Sequence, residues 1–236
     1  MAGTQADHRN ALLRKLHPAD FDRLAPHLKR VMLDVRKVLE KPNAPIDTVY
    51  FPEAGLASIV ARISGSRDIE VGITGRDGMT GTAVVLGCAQ SPHSTFMQMA
   101  GWGWALPAEV LAAELQESVT LRALLLRFVQ ALSVQTAFTA VANGRCTLEE
   151  RLARWLLMAH DRIDGSEVRL THEFLSVMLG VRRAGVTVGM HVLEGKGLIR
   201  ANRGQVLILD REGLVAQANG AYGGPEVEYR RLLGES

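Results

Sequence analysis

The chain has 236 residues, of which 47% are hydrophobic and 22% are charged. These fractions exclude a disordered or collagen-like chain, and the length fits one large domain or two small ones. Lysine and arginine number 27 against 25 aspartates and glutamates, and the net charge of +2 argues against a polyanion partner unless the charge is unevenly distributed. The two cysteines, Cys88 and Cys146, are too few for a four-cysteine zinc or iron–sulfur site.

The N-terminal residues are polar and lack the apolar core of a secretory signal, so a cytoplasmic protein is expected. Residues 8–29 have apolar residues at helical spacing and predict one or two short helices. Between residues 30 and 106, short apolar or alternating runs are typical of a small β-sandwich or barrel. These runs are VMLDVRKVL (31–39), TVYF (48–51), LASIVARI (56–63), DIEVGI (68–73), TAVVLG (82–87) and STFMQMAGWGWAL (94–106). Turns are predicted at 41–43, 52–55, 64–66, 75–78 and 90–92, where Gly, Pro, Asn and Ser cluster.

Residues 107–143 return to a helical period. Pro107 and the sequence AEVLAAEL predict a first helix, and Ser118 is placed to cap a longer one over residues 119–143. The longer helix is apolar on nearly every side, so several of its faces must be buried. Charged and polar residues interrupt it, which argues against a membrane span.

A stripe of residues runs along this long helix with a spacing near 3.5, which is the spacing of a two-helix seam. The stripe comprises Leu121, Leu125, Phe128, Leu132, Gln135 and Thr139. We expect it to form the interface of a homodimer. The alternative is a central helix in the core of one monomer.

Residues 147–163 predict an amphipathic helix, and the following segment predicts a helix-turn-helix. Thr171 is a good N-cap for a first short helix, which Gly180 breaks. A second helix is predicted to begin at about Arg182 and to end at Gly195 or Gly197. Two short helices joined by a turn that contains glycine are a helix-turn-helix.

A β-hairpin is predicted directly after the second helix. Leu198 begins its first strand, residues 202–204 form a tight turn, and residues 205–209 return as the second strand. Such a hairpin adds a wing to the helix-turn-helix.

The charge of this segment differs from that of the whole chain. Between Arg169 and Arg203 there are six basic residues against two acidic ones, a local charge of +4, so the remaining residues sum to −2. Arg182 and Arg183 stand at the start of the second helix, the end that enters the major groove in this motif. Arginine can also contact guanine through two hydrogen bonds, so the segment predicts binding to DNA.

Here the sequence resembles the Crp/Fnr family of bacterial transcription regulators. The matching residues are Leu170-Thr171, Leu175, Leu179-Gly180, Arg183, Val186, Leu193-Glu194, Gly197-Leu198-Ile199, Arg203-Gly204 and Asp210. The resemblance covers nearly the whole chain and is most specific in its C-terminal half. It implies a mixed α and β fold, with an antiparallel β-roll of the jelly-roll type, a long dimerisation helix and a C-terminal winged helix-turn-helix.

The resemblance also implies a domain organisation and a DNA-contact set. The N-terminal helices and sensor β-roll would occupy residues 1–117, the dimerisation helix 118–143 and the DNA-binding domain 144–236, with a recognition helix over about 182–194. The residues expected to contact DNA are Thr171, Arg182, Arg183, Ala184, Gly185, Thr187 and Arg203. In well-known members the recognition arginine is followed by a glutamate and later by a second arginine; here Ala184 and Val188 replace them.

The β-roll departs from the cyclic-nucleotide-binding members of the family. Their Gly-Glu-Leu-Gly turn corresponds to Gly78-Met79-Thr80-Gly81, and their Arg-Ser pair falls near His93-Ser94. A buried cyclic phosphate would therefore lack its arginine, and no cofactor is expected. If a ligand does bind, the candidate residues are Gly78, Met79, Gly81, His93, Ser94 and Thr136, which keeps a small-molecule-responsive regulator with an altered pocket as the alternative.

The expected partners are double-stranded DNA, a second copy of the chain, RNA polymerase and an effector of open identity. No catalytic residue, metal site or membrane contact is expected. A protein-interaction module whose winged helix no longer binds DNA is the third hypothesis, and the basic patch argues against it.

Overall fold

The computed structural model describes residues 4–62 and 68–234. The turn predicted at 64–66 lies outside these residues. The helices are α1 (Ala11–Lys15), α2 (Pro18–Leu24), α3 (Thr82–Val85), α4 (Ala108–Glu117), α5 (Val119–Arg145), α6 (Leu148–His160), α7 (His172–Met178), α8 (Arg183–Gly195), α9 (Arg211–Gln217) and α10 (Gly224–Leu233). The strands are β1 (Lys29–Leu33), β2 (Val38–Glu40), β3 (Thr48–Ala61), β4 (Ile69–Thr74), β5 (Ser94–Pro107), β6 (Glu167–Arg169), β7 (Ile199–Asn202) and β8 (Gln205–Ile208).

The strands form two sheets. The larger has the order β1-β5-β3-β4, with β2 also paired to β5, and β1 and β2 run antiparallel to β5. The smaller is the antiparallel sheet β6-β8-β7. An N-terminal sheet, a long helix and a C-terminal winged helix-turn-helix confirm the predicted fold class.

Contacts divide the described residues into two compact units. Unit 1 holds residues 4–59, 73–133 and 229–234, and unit 2 holds residues 60–62, 68–72 and 134–228. The boundary between the two units falls inside α5, between residues 133 and 134. The domain ranges given from the sequence stay predictions.

Unit 1 is built on an apolar core beneath the larger sheet. The N-terminal helices contribute Leu12, Leu13 and Leu24, and α4 contributes Leu111, all fully buried. A buried carboxylate, Glu53 on β3, ties the N-terminal segment to this unit. It accepts hydrogen bonds from Trp104 Nε1 at 2.8 Å, His8 Nδ1 at 2.7 Å and the Asn10 amide at 2.8 Å.

The run TAVVLG, predicted as a strand, is instead the short helix α3. Val84 and Val85 are both buried in the core of unit 1. A short apolar run fits a buried strand and a buried helical turn equally well, so its periodicity could not separate them.

The turn predicted at residues 52–55 is also wrong, because the run 48–51 and residues 56–61 of the next run belong to one continuous strand, β3. Gly55 has a φ of +89°, and a Cβ there would lie 2.7 Å from the Met99 carbonyl oxygen. The glycine thus marks a close approach between strands rather than a chain reversal. Conversely, the single run 31–39 contains a turn at residues 34–37, where Arg36 has a φ of +67°.

α5 has one stripe of buried residues and one stripe of exposed residues, and the predicted dimer seam falls on the buried stripe. Leu121, Leu125 and Phe128 are buried in the core of unit 1, Gln135 is buried in unit 2, and Leu132 and Thr139 are half-buried. The chain itself therefore covers the stripe that the sequence assigned to a partner. This face of α5 fits the alternative given above, a central helix in the core of one monomer.

By length and composition α5 could cross a membrane, and it is the one helix among the described residues of which this is true. The core helix of a water-soluble protein has the same length and composition. Since the inner face of α5 packs on its own chain, the apolar composition has a structural cause and is weak evidence for a span.

Unit 2 is held together around α6. Thr147 caps this helix in a capping box with Glu150, and residues 152–159 are buried. Arg154 donates to the Ala221 carbonyl at 3.0 Å and the Gln135 carbonyl at 3.3 Å. The strand β6 and the helices α9 and α10 lie outside the elements predicted from the sequence.

Candidate nucleic-acid interface

The helix-turn-helix is formed by α7, a glycine turn and α8, as the sequence predicts. The Phe174 amide donates to Thr171 Oγ1 at 3.3 Å, so Thr171 caps α7. Gly180, with a φ of +62°, makes the turn, and a Cβ there would lie 3.2 Å from Ile69 Cδ1. Only glycine adopts this left-handed conformation without strain, so the local sequence dictates where α7 ends.

One face of α8 is packed against the rest of unit 2. Val186, Met190 and Leu193 are buried. A Cβ on Gly185 would meet Leu148 Cδ2 at 3.3 Å, and one on Gly189 would meet Leu152 Cδ2 at 3.5 Å, so both glycines lie against α6. The missing side chain of Gly185 lets α8 pack closely on α6, which gives this helix-destabilising residue a structural reason, whereas a methyl group at Gly189 would make an ordinary contact.

The opposite face of α8 is exposed. Its residues are Arg182, Arg183, Ala184, Val188, His191 and Val192. Thr187 lies at its edge, half-buried, and its hydroxyl donates to the Arg183 carbonyl at 3.2 Å.

The wing is attached to the end of α8. The Ala201 amide donates to Glu194 Oε1 at 2.9 Å, which links β7 to the helix. Gly204, with a φ of +80°, completes the turn between β7 and β8 and leaves Arg203 exposed at its tip.

A groove lies between α8 and the wing, within unit 2. Thr171, Arg183 and Arg203, which the sequence analysis selected separately, all line it. His191 and Asn202 line it as well and were missed. The signal for His191 was present, because it follows Thr187 by four residues and therefore lies on the same face of a helix.

The other four selected residues do not line the groove. Arg182 and Ala184 are exposed at the start of α8, and Thr187 is half-buried. Gly185 faces Leu148 of α6 and does not line the groove, and its contact with DNA stays a prediction. Its role is to let two helices approach.

One positive charge of this surface is paired with a carboxylate, that of Arg169, which lies 3.2 Å from Glu167. Lys196 Nζ donates to the neutral amide oxygen of Gln217 at 2.5 Å and keeps its charge. Within residues 4–62 and 68–234, no carboxylate pairs with the exposed side chains of Arg182, Arg183, Arg200 and Arg203. These four guanidinium groups can bind phosphates or base edges.

The candidate ligand residues of the β-roll are mostly packed by the chain itself. Met79 is fully buried, and a Cβ on Gly78 would lie 2.3 Å from the ring of Phe128. The Gly81 amide donates to Glu40 Oε1 at 2.9 Å. The Gly81 amide, in the turn that contains Met79, is therefore already hydrogen-bonded to the Glu40 carboxylate and is not free for a ligand.

The nearby polar residues also contact Glu40 or one another. His93 Nδ1 lies 3.1 Å from Ser91 Oγ, and Ser94 Oγ donates to the Glu40 carbonyl oxygen at 3.5 Å. Burial raises the pKa of Glu40, although the Gly81 amide, the Thr95 hydroxyl and His93 oppose the rise. Thr136 is half-buried on the C-terminal half of α5.

A protein-family model described as the Crp-like helix-turn-helix domain matches residues 150–217. A search of curated proteins found no match. Among solved structures, a protein from Eubacterium rectale described as a transcriptional regulator of the Crp/Fnr family is 17% identical, with a TM-score of 0.69 over 89% of this chain and 98% of that chain. FixK2 from Bradyrhizobium japonicum is 14% identical, with a TM-score of 0.68 over 80% and 96%.

A third structure, from Thermus thermophilus, is described as a transcriptional regulator of the CRP family. It is 21% identical, with a TM-score of 0.65 over 83% of this chain and 98% of that chain. Identities this low establish a common fold, whereas the family model identifies the residues that contain α7 and α8. The chain therefore has the fold of the Crp/Fnr regulators, and its residues 150–217 match a Crp-like helix-turn-helix domain.

Proposed function

We propose that the protein regulates transcription as a homodimer that inserts α8 of each copy into the major groove of a near-palindromic DNA site. The observation that carries this proposal is the convergence of Thr171, Arg183 and Arg203 on one groove beside the exposed face of α8. The protein acts by binding and not as an enzyme.

Arg182 and three side chains of the groove have distinct roles. Arg183, at the N-terminal end of α8, contacts a guanine through two hydrogen bonds. The Thr171 hydroxyl already accepts the Phe174 amide and still has its proton to donate to a phosphate. Arg182 and Arg203 contact the phosphates on either side, which fixes the position of α8 without reading sequence.

The dimer forms through the outer stripe of α5. Its residues recur at alternating spacings of four and three and are all exposed: Val119, Ala123, Leu126, Gln130, Ser133, Ala137, Ala140 and Gly144. These are the a and d positions of a heptad repeat, and the buried stripe occupies positions on the opposite side. The small residues allow two helices to approach closely, and Val119 and Leu126 supply apolar area that water now covers.

The β-roll acts without the usual cyclic-nucleotide contacts. A cyclic phosphate at the Gly81 amide would compete with the Glu40 carboxylate, and the sequence around His93 contains no arginine to compensate for its charge. Calorimetry with cyclic AMP and cyclic GMP tests this: we expect no heat of binding at micromolar concentrations. A cytoplasmic location, RNA polymerase as a partner and an effector of another chemical class complete the proposal.

The central experiment selects bound fragments from random DNA and measures affinity for the selected site. Arg183→Ala is expected to weaken binding by about 1–3 kcal/mol and to relax the preference at one base pair. The affinity of the unaltered protein should fall steeply with salt, since phosphate contacts release counterions.

The matched control removes the same charge elsewhere. Arg14 and Lys41 are exposed on unit 1, so Arg14→Ala/Lys41→Ala changes the net charge as much as Arg182→Ala/Arg183→Ala does. The control pair should retain the affinity, and the α8 pair should lose it. Equal affinities of the two double variants would exclude α8 as the recognition helix.

A further inference from the structure

The exposed face of α8 carries three apolar residues, of which Ala184 and Val188 lie nearest to Arg183. Ala184 and Val188 are one helical turn apart, and Val188 is 60% exposed. Leaving a valine in water forgoes the free energy of its burial. Exposed valines are common singly, so what matters is the position of this one, on the exposed face of the proposed recognition helix between Arg183 and His191.

Val188 has no packing role within the described chain. The buried face of α8 is already complete with Val186, Met190 and Leu193, and the side facing α6 is formed by Gly185 and Gly189. Val188 is therefore free to contact DNA that binds the exposed face of α8.

The directional hydrogen-bonding capacity of this face is limited. Alanine and valine side chains have no donor or acceptor, and the hydroxyl proton of Thr187 is already given to the Arg183 carbonyl. Arg183 is thus the one strong base-reading donor in the first turn of α8. Next to it the helix presents only methyl groups.

The major groove offers one apolar group for such a surface, the C5-methyl of thymine. Resting on the proposed function, we propose that Val188, with Ala184, reads thymine through its methyl group, next to the guanine contacted by Arg183. In the first two turns of α8, the half-site is therefore specified by one bidentate hydrogen-bonded contact and an adjacent apolar contact.

The test replaces thymine by deoxyuridine, which lacks the methyl group but keeps the same base pairing and the same hydrogen-bonding edges. The site selected from random DNA is resynthesised with one thymine at a time changed in each half-site. At the position read by Val188 we expect affinity to fall about three- to fivefold per half-site, the value of one buried methyl group. The other positions should change little.

Val188→Ala links this effect to the side chain. The variant should bind thymine-containing DNA more weakly than the unaltered protein, and it should no longer distinguish thymine from uracil at that position. Val227→Ala on α10 is the matched control, because Val227 is 58% exposed and its truncation is chemically identical. This control should keep the full discrimination.

Each other outcome has a definite meaning. Sequence-specific binding without any thymine-to-uracil effect would overturn the methyl-reading proposal and leave the proposed function standing. Discrimination that survives in Val188→Ala would overturn the assignment to Val188. Failure to select any sequence would overturn the proposed function and this inference with it.

Discussion

At the scale of single residues, identical amino acids have opposite structural roles in this chain. Gly189 lies in the middle of α8, where a Cβ would reach Leu152 at 3.5 Å, an ordinary van der Waals contact. Gly78 lies beneath α5, where a Cβ would be 2.3 Å from ring carbons of the buried Phe128. The first glycine leaves room for a methyl group, and the second does not.

Alanine substitutions at these two glycines should therefore have opposite effects. Gly189→Ala should raise the free energy of unfolding by up to ~1 kcal/mol, because alanine favours helix and meets no obstacle. Gly78→Ala should lower it by about 1–3 kcal/mol, since the Phe128 ring must move in a packed core. Urea unfolding measures both.

DNA affinity provides the control for the first substitution. Gly189 faces α6 and not the groove, so Gly189→Ala should bind the selected site as tightly as the unaltered protein. Destabilisation by Gly189→Ala, or tolerance of Gly78→Ala without loss, would contradict the packing described for these positions.

The role of a residue could be predicted from the sequence where that role depends only on its neighbours along the chain. Thr171, Gly180 and Gly204 act on their immediate neighbours, through a cap or a left-handed turn, and each has its predicted role. The direction of Gly185 depends on Leu148 in another helix, which no local pattern contains. The contact of Glu40 with Gly81 joins residues 41 positions apart and was equally inaccessible.

At the scale of elements, unit 2 is joined by a cluster at the C-terminal end of α6. Arg211, the first residue of α9, donates from Nη2 to Asp161 Oδ1 at 2.6 Å and to the Tyr222 hydroxyl at 2.7 Å. Its Nη1 lies 2.8 Å from His160 Nδ1. That ring nitrogen must be unprotonated to accept from a guanidinium group.

This cluster predicts that acid destabilises unit 2. Burial, followed by the charge of Arg211, lowers the pKa of His160, with Asp161 and a Gly165 backbone hydrogen bond opposing. A lowered pKa means that the folded state binds fewer protons than the unfolded state. Stability is therefore present above the unfolded-state pKa of about 6.5 and is lost as pH falls toward the folded-state value.

His160→Gln tests the assignment, since glutamine still offers Arg211 an acceptor but does not titrate. Melting temperatures between pH 8 and pH 5 should fall more steeply for the unaltered protein than for this variant. Parallel curves for the two proteins would show that His160 does not contribute to the pH dependence.

Elements were predictable where their period was long and their ends were capped. α8 and the wing follow from the spacing of Val186, Met190 and Leu193 and from the turn at Gly204. The strand β3 continues through Pro52 because its pairing with β5, rather than its local turn signals, determines the backbone. Tertiary pairing overrides local propensity in such strands.

At the scale of the whole molecule, α5 has two stripes with the same period, and this is why the sequence could not distinguish them. The more apolar stripe, containing Leu121, Leu125 and Phe128, is covered by the chain itself. The stripe of smaller residues remains exposed over the whole length of the helix. Choosing the more hydrophobic stripe as the seam is reasonable from sequence alone, but the same stripe is needed for the chain's own core.

The exposed stripe makes a prediction about assembly and DNA binding together. Ala137→Glu places a carboxylate in the proposed seam, where each copy would bury an unpaired charge at a cost of about 3–5 kcal/mol. We expect a monomer by light scattering and a loss of affinity for the near-palindromic site, because a monomer engages one half-site. Ala113→Glu is the same change on an exposed position of α4, and it should remain dimeric and bind normally. Circular dichroism should show equal helicity in both variants, which controls for unfolding. A dimeric Ala137→Glu protein would rule out this stripe as the interface.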